Sequence, residues 1–134
     1  MSHRNERLDP QGIAARREVL GDAYVDRSLD GADDFSWPLQ ELVTRNCWGD
    51  IWTREGLPRQ TRSLVNLGMM IALNRPHELK IHLKGALNNG CSPAEIREVL
   101  LQSAAYCGFP AAIDGFRVAR EVLAEEGITF RDGE

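Results

Sequence analysis

The chain has 134 residues, about the length of one ordinary domain, which predicts a single domain over residues 1–134. Sixteen Lys and Arg against twenty Asp and Glu give a net charge of −4, and this acidic balance disfavours nucleic acid as a partner. The longest apolar stretch, residues 64–73, is about half as long as a membrane span. Three widely spaced cysteines and a charged start in place of a signal core predict a cytoplasmic protein without membrane contact.

Helix start and stop signals recur along the chain, whereas polar and apolar residues nowhere alternate as they do in a strand. We therefore expect an all-α fold. In the N-terminal half, the predicted segments are a helix opened by Asp9-Pro10, a short second helix after Gly21-Asp22, a loop at 31–34, and a helix from Trp37-Pro38 to about Gly49. The Gly56-Leu57-Pro58 segment then interrupts the helical pattern. We expect residues 1–8 and 131–134 to be frayed ends, because both segments are short and charged.

The segment Arg59–Leu73 is apolar on nearly every side. This pattern is typical of a central helix, because all of its faces have to be covered. A chain of this size leaves one of those faces without cover, so we predict an obligate homo-oligomer.

Three more helices are expected in the C-terminal half. The turn at 74–76 begins a helix that ends near Gly90, where a left-handed cap fits. Ser92-Pro93-Ala94-Glu95 has the pattern of a capping box and predicts the start of the next helix. That helix is expected to stop at Gly108-Phe109-Pro110, and a final helix to cover Ala111–Glu126.

His82 is the first catalytic candidate, because Glu78 lies one helical turn before it. A Glu–His pair at this spacing orients the imidazole and raises its pKa, which suits a general acid near neutral pH. On spacing alone, a satisfied core histidine is the alternative. His77 cannot share a metal ion with His82, since five positions turn two side chains about 140° apart on a helix. We therefore expect no metal site.

Gln102 and Tyr106 form a second pair one turn apart, and both can donate a hydrogen bond to an oxyanion. A buried polar pair at a helix contact is the equal alternative. Arg45 and Arg62 enter apolar helical segments, where a guanidinium either reaches solvent or faces a carboxylate. All three tryptophans, Trp48 among them, fall within one short segment that is typical of a core or a subunit interface.

Several blocks of sequence are similar to those of one enzyme family. They are Trp48-Gly49-Asp50-Ile51-Trp52, Arg59-Gln60-Thr61-Arg62-Ser63-Leu64, Glu78-Leu79 with His82, Asn88-Asn89-Gly90, Glu98-Val99-Leu100-Leu101-Gln102, and Tyr106-Cys107-Gly108-Phe109-Pro110-Ala111-Ala112. With these blocks, residues 33–124 resemble the carboxymuconolactone decarboxylase family. The resemblance implies an all-helical fold of the alkylhydroperoxidase type and a ring of subunits, commonly a hexamer, with pockets near the subunit contacts.

The activity that the resemblance implies is decarboxylation of 4-carboxymuconolactone to β-ketoadipate enol-lactone, in the breakdown of protocatechuate. This substrate contains its own electron sink, so no cofactor is expected. The related hydroperoxidases have a Cys-x-x-Cys pair where this chain has Arg75 and Glu78, so no peroxidase activity is expected. The family pattern continues after Ala112 with Asn-His, whereas this chain has Ile113-Asp114. A lyase or isomerase acting on another lactone or enolisable acid therefore stays open, as does a non-catalytic oligomeric binding protein.

The resemblance and this chemistry together imply a role for each candidate side chain. The roles are a cation for the spectator carboxylate (Arg62, with Arg45 as second choice), a proton donor (His82, supported by Glu78), donors to the lactone oxyanion (Gln102 and Tyr106) and an apolar wall for the leaving carboxylate (Trp48). The partner that these roles require is a small lactone carboxylate.

Overall fold

The computed structural model describes residues 3–131, and in that range it has seven α-helices and no strand, which confirms the predicted all-α fold. In chain order the helices are α1 (Pro10–Leu20), α2 (Asp22–Asp30), α3 (Trp37–Val43), α4 (Arg59–Ala72), α5 (Pro76–Asn88), α6 (Pro93–Cys107) and α7 (Phe109–Glu125). A 3₁₀ turn at Asn5–Arg7 precedes α1, and a π-helical turn at Thr44–Gly49 continues α3. The outermost parts of the predicted frayed ends, 1–2 and 132–134, lie outside the described residues.

The chain divides after Pro58 into two compact units. The division falls in the Gly56-Leu57-Pro58 segment, where the sequence predicts an interruption. We call residues 3–58 the N-terminal unit and residues 59–131 the C-terminal unit. No helix of residues 3–131 is both long and apolar enough to span a membrane. A single domain over the whole chain stays a prediction.

In the N-terminal unit, α1 packs closely against the π-helical turn. Asp9 caps α1 by accepting a hydrogen bond from the backbone N–H of Gly12 over 2.8 Å. Position 12 requires glycine, because a Cβ there would overlap the carbonyl oxygen of Thr44. The predicted helix from Trp37 to about Gly49 is therefore present, with its second part wound as a π-helix.

Part of the start of the chain is packed where we predicted fraying, so that prediction is wrong at Leu8. Leu8 is only 6% exposed and belongs to an apolar cluster with Trp37. The guanidinium of Arg4 lies over the same indole, 4.6 Å from the ring centre. The charged residues around Leu8 led to the prediction of a frayed end. The fold instead packs the Leu8 side chain in an apolar cluster of this unit.

In the C-terminal unit, α4 to α7 surround one apolar core. Helix α4 packs on α5 and α6, and α7 packs on the same two helices and on α4. The most completely buried side chains of this core include Leu67 on α4, Leu83 on α5 and Val122 on α7. The central position predicted for α4 is confirmed. Its outer face is nevertheless open, since Met69 is 52% and Leu73 60% exposed.

The ends of α6 and α7 follow the sequence signals. Ser92 and Glu95 form the predicted capping box, in which each side chain accepts a hydrogen bond from the backbone N–H of the other residue. Gly108 joins α6 to α7 with a φ of 99°, a conformation that favours glycine. Helix α7 begins at Phe109, two residues before the predicted start, because Pro110 fits in the first turn of a helix, where its missing N–H is harmless.

Candidate functional site

Glu78 and His82 lie at the start of α5, one turn apart. Pro76 begins this helix, and Glu78 falls in its first turn, where a carboxylate interacts favourably with the helix dipole. Leu79 and Leu83 are 3% and 1% exposed and anchor α5 in the core. His82 is half-buried and Glu78 is exposed, so the pair stands at the edge of the core with its carboxylate toward solvent.

The face of α5 that carries His82 is turned toward α4. Asn89 follows His82 by two turns on the same face, and its amide Nδ2 donates a hydrogen bond to Ser63 Oγ of α4 over 2.9 Å. A second bond joins the same elements, from Gln60 Nε2 to the carbonyl oxygen of Gly90 over 3.2 Å. These two bonds fix the register of α4 against the end of α5.

Arg62 precedes Ser63 on α4 and is half-buried. The register described above therefore places Arg62 opposite the end of α5, near Asn89 and about two helical turns along α5 from His82. We call this strip of the two helices the α4–α5 seam, defined by Arg62, Ser63, Glu78, His82 and Asn89. It contains one cation, one carboxylate and one imidazole.

The pKa of His82 differs from the sequence prediction. The neighbouring carboxylate of Glu78 favours the protonated imidazole, as we expected, but burial disfavours it more strongly, and the pKa of His82 is lowered from its ordinary value. The prediction of a raised pKa is therefore wrong, because the spacing shows the carboxylate and does not show how much water the fold removes. In the free protein at neutral pH, His82 is mainly neutral.

Gln102 and Tyr106 are one turn apart on α6, and the structure places them away from the core. Both side chains are exposed, Tyr106 to 83%, so the alternative of a buried polar pair is wrong within the protomer and stays a prediction for a helix contact between copies. Gln102 lines an open groove between α4 and α6, and no residue of α5 lines that groove. Their contact with an oxyanion stays a prediction.

Arg45 and Trp48 belong to the N-terminal unit. Arg45 is exposed in the π-helical turn. Trp48 is 4% exposed and stacks on Trp52, with 5.0 Å between the ring centres, in a cluster with Val19. Trp48 is thus a core residue of its unit, as one of the two sequence interpretations predicted, and its role as a wall for a leaving carboxylate stays a prediction.

Two of the three cysteines are poorly suited to nucleophilic chemistry. All three are free thiols, and burial raises the pKa of both Cys47 and Cys91. Cys107 is exposed at the end of α6. In residues 3–131 no three side chains of His, Cys, Asp or Glu are grouped as metal ligands would be, and the absence of a metal stays a prediction.

Two features of the molecule were missed by sequence reasoning. The Ser63–Asn89 hydrogen bond joins two elements that are 26 residues apart, so only the fold reveals it. Arg16 is buried in the N-terminal unit, where it donates to Gln40 Oε1 over 2.8 Å and to Ser28 Oγ over 3.1 Å, and burial lowers its pKa. The one feature of the sequence that could have indicated the burial of Arg16 is its position three residues before the buried Val19 on α1.

Comparison with known proteins defines the class of this helical protein. The family model described as Carboxymuconolactone decarboxylase family matches residues 38–121, which is more than half of the chain and includes Arg62, Glu78 and His82. The chain belongs to the carboxymuconolactone decarboxylase family. This confirms the resemblance seen in the sequence blocks.

Individual relatives in this family are named as decarboxylases. The chain is 41% identical over 124 residues to the 4-carboxymuconolactone decarboxylase of Acinetobacter baylyi, with 92% of each chain covered. It is 43% identical over 119 residues to the nitrosuccinic acid decarboxylase npaB of Metarhizium robertsii, with 89% of this chain and 83% of the relative covered. A shorter match, 51% identical over 39 residues, joins 29% of this chain to 81% of a 4-carboxymuconolactone decarboxylase sequence from Pseudomonas putida.

Proposed function

We propose that the protein is a carbon–carbon lyase that decarboxylates 4-carboxymuconolactone to β-ketoadipate enol-lactone, in the breakdown of protocatechuate and related aromatic compounds. The observation that carries this proposal is the 41% identity over 92% of both chains to a 4-carboxymuconolactone decarboxylase. The α4–α5 seam supports it, because it carries a cation and an acid or base, the two kinds of group that the reaction requires of the protein.

The substrate supplies its own electron sink. Its scissile carboxylate is bonded to the saturated ring carbon next to the lactone oxygen, and that carbon is bonded to the ring double bond, which is conjugated with the lactone carbonyl. When the carbon–carbon bond breaks and CO2 leaves, the electron pair moves into the ring and forms a dienolate. A proton added to a ring carbon then gives the enol-lactone. No step requires an external electron acceptor.

Three residues of the α4–α5 seam fit the remaining requirements. Arg62 would bind the spectator acetate carboxylate through charge-assisted hydrogen bonds. His82 would donate the proton, and Glu78 would favour its protonated form. The pKa of His82 is lowered in the free protein, so this role requires the arriving dianion to raise the pKa of the imidazole. The proton is thus taken up with the substrate and transferred to the ring.

The other candidates have weaker support. Gln102 and Tyr106 would donate hydrogen bonds to the lactone oxyanion, Arg45 is the second choice for the spectator carboxylate, and Trp48 would exclude water from the leaving group. These are separate proposals, and the Gln102→Ala, Tyr106→Phe, Arg45→Leu and Trp48→Phe variants test them one at a time.

A second substrate is favoured by the relative named for nitrosuccinic acid, at 43% identity. In 2-nitrosuccinate the scissile carboxylate is bonded to the carbon that carries the nitro group, which accepts the electron pair as a nitronate. Both acids are therefore substituted succinates, with a spectator acetate arm and a carboxylate on a carbon joined to an electron sink. One cation and one proton donor would serve both reactions.

We also propose the setting in which the reaction occurs. The open apolar face of α4 supports a homo-oligomer, for which the family suggests a hexamer. The substrate is a small carboxylate, and neither nucleic acid nor membrane is expected as a partner. Three free thiols favour the cytoplasm.

The deciding experiment compares the two acids directly. Freshly generated 4-carboxymuconolactone and 2-nitrosuccinate are each mixed with purified, chelator-treated protein, and CO2 release and ultraviolet absorbance are followed against the spontaneous rate. Turnover of the lactone supports the leading proposal, and turnover of nitrosuccinate alone replaces it with the second. Tight binding of either acid without turnover, measured by calorimetry, would establish the non-catalytic binding protein instead.

A further inference from the structure

We propose that α7 of one protomer docks into the groove between α4 and α6 of the next protomer, so that copies of this chain associate head to tail. The inference rests on the homo-oligomer proposed above and not on the proposed decarboxylation. It names the two surfaces that meet, which the sequence comparison leaves open.

The groove has the shape and lining of a helix-binding site. Its volume is about 500 Å³, and most of the surface of its wall is apolar. The lining residues are Leu64, Val65 and Gly68 of α4, and Glu95, Glu98, Val99, Gln102 and Ser103 of α6. We call this surface the α4–α6 groove. Val65, on its wall, is 44% exposed in the single protomer.

Gly68 is the residue that indicates close approach of a second chain to the α4–α6 groove. It lies within α4, where glycine costs roughly 1 kcal/mol relative to alanine, and it does not have a positive φ that would require glycine. A Cβ built at Gly68 would meet no atom of the protomer within 4 Å. Nothing within the protomer therefore explains the missing side chain, whereas close approach of a second chain does.

The outer side of α7 presents a row of apolar side chains. Phe109, Ile113 and Phe116 recur at helical spacing along it, and the first two are 72% and 65% exposed. Arg117 and Arg120 continue the same surface toward the end of the helix. Such a row of apolar side chains is the usual means by which a helix binds in an apolar groove.

The charges of the two surfaces are complementary. The groove carries Glu95 and Glu98, three positions apart, and the α7 surface carries Arg117 and Arg120, also three positions apart, together with Glu121. Within residues 3–131, Glu98 and Arg120 have no ion-pair partner, whereas Arg117 is paired with Asp114 over 2.8 Å. A Glu98–Arg120 contact between copies would pair both free charges and fix the direction of docking.

The two surfaces are different parts of the same chain, so the contact is of the head-to-tail kind, which forms a ring when the rotation between copies closes. It would cover Val65, Phe109 and Ile113, three of the exposed apolar side chains of the protomer.

The test measures solution mass by light scattering over a dilution series, with the full chain. Gly68→Leu adds a side chain in the groove at a position where a Cβ has open space in its own protomer, and Gly56→Leu, at a second open glycine outside the groove, is its matched control. Glu98→Arg and Arg120→Glu are made singly and together, with Glu55→Arg as a control reversal. Circular dichroism and thermal melting verify that each variant is folded.

We expect Gly68→Leu and each single reversal to raise the protomer concentration needed for assembly by at least about tenfold, because they introduce a steric clash or a like-charge contact. The two controls should assemble as the wild type does, and the Glu98→Arg/Arg120→Glu double variant should recover assembly. The proposal is overturned if the wild type is monomeric at micromolar concentration, if the groove variants keep the wild-type mass, or if the double variant fails to recover. Because the readout is mass, a failure here leaves the decarboxylase proposal to be judged by turnover.

Discussion

Two pairs of side chains at the same helical spacing have different surroundings in this protein. Glu78 and His82 on α5 stand at the edge of the core, where burial and a nearby carboxylate act on the pKa of the imidazole in opposite directions. Gln102 and Tyr106 on α6 are both exposed, beside a groove that we assign to subunit contact. The comparison teaches that helical spacing determines which side chains are neighbours, whereas the packing around them determines what chemistry they can perform.

The largest expected effect is on turnover, and it distinguishes the Glu78–His82 pair from the Gln102–Tyr106 pair. Replacing His82 with Gln keeps a polar side chain of similar length but removes the proton donor, so kcat on the lactone should fall by about 10²- to 10⁴-fold. Tyr106→Phe, the matched change on α6, should have a smaller effect, and steady-state kinetics measure both. Near-wild-type turnover by His82→Gln would show that another group is the acid.

The second-largest expected effect concerns substrate binding by Arg62, the cation of the α4–α5 seam. Arg62→Leu removes the partner of the spectator carboxylate, and we expect kcat/KM to fall by roughly 10- to 100-fold, since hydrogen bonds to charged groups contribute about 1.5–3 kcal/mol. Arg62→Lys should retain part of the activity. Arg45→Leu is the matched control in the N-terminal unit, and a larger loss there would transfer the role to Arg45.

The pH dependence of the reaction tests the coupling within the α5 pair. The dianionic substrate raises the pKa of His82, so the alkaline limb of the kcat profile should lie at higher pH than that of kcat/KM, which reports the free protein. Glu78→Gln removes the charge that favours protonation and should move both limbs to lower pH. The coupling between Glu78 and His82 would be contradicted if the alkaline limbs of the kcat and kcat/KM profiles coincided in the wild type. It would also be contradicted if Glu78→Gln left both limbs at the wild-type pH.

The smallest expected effect is on stability. Burial lowers the pKa of His82 in the folded protein, so the unfolded chain binds more protons in the window between that value and the ordinary value of about 6.5. The free energy of unfolding should therefore decrease as the pH falls below about 6.5. Denaturant titrations at several pH values should show that the free energy of unfolding decreases less steeply with falling pH in His82→Gln than in the wild type. The same pH dependence in both proteins would indicate that burial does not lower the pKa of this histidine.

Much of the fold could be predicted because its signals are local. The capping box at Ser92 and Glu95, the proline at the start of α5 and the glycine between α6 and α7 each act on one turn of backbone, and each helix boundary fell within about two residues of its prediction where such a signal was present. The start of the chain was mispredicted because Leu8 packs in a cluster with Trp37, far along the sequence.

Sequence alone determined the family, the helical architecture and the identity of the side chains available for chemistry, since motifs, caps and periodicity are properties of neighbouring residues. Tertiary structure decided the protonation state of His82, the burial of Trp48, the exposure of Tyr106 and the open space at Gly68. Each of these depends on how much solvent distant segments exclude. Desolvation is a property of the packed chain, and no local pattern encodes it.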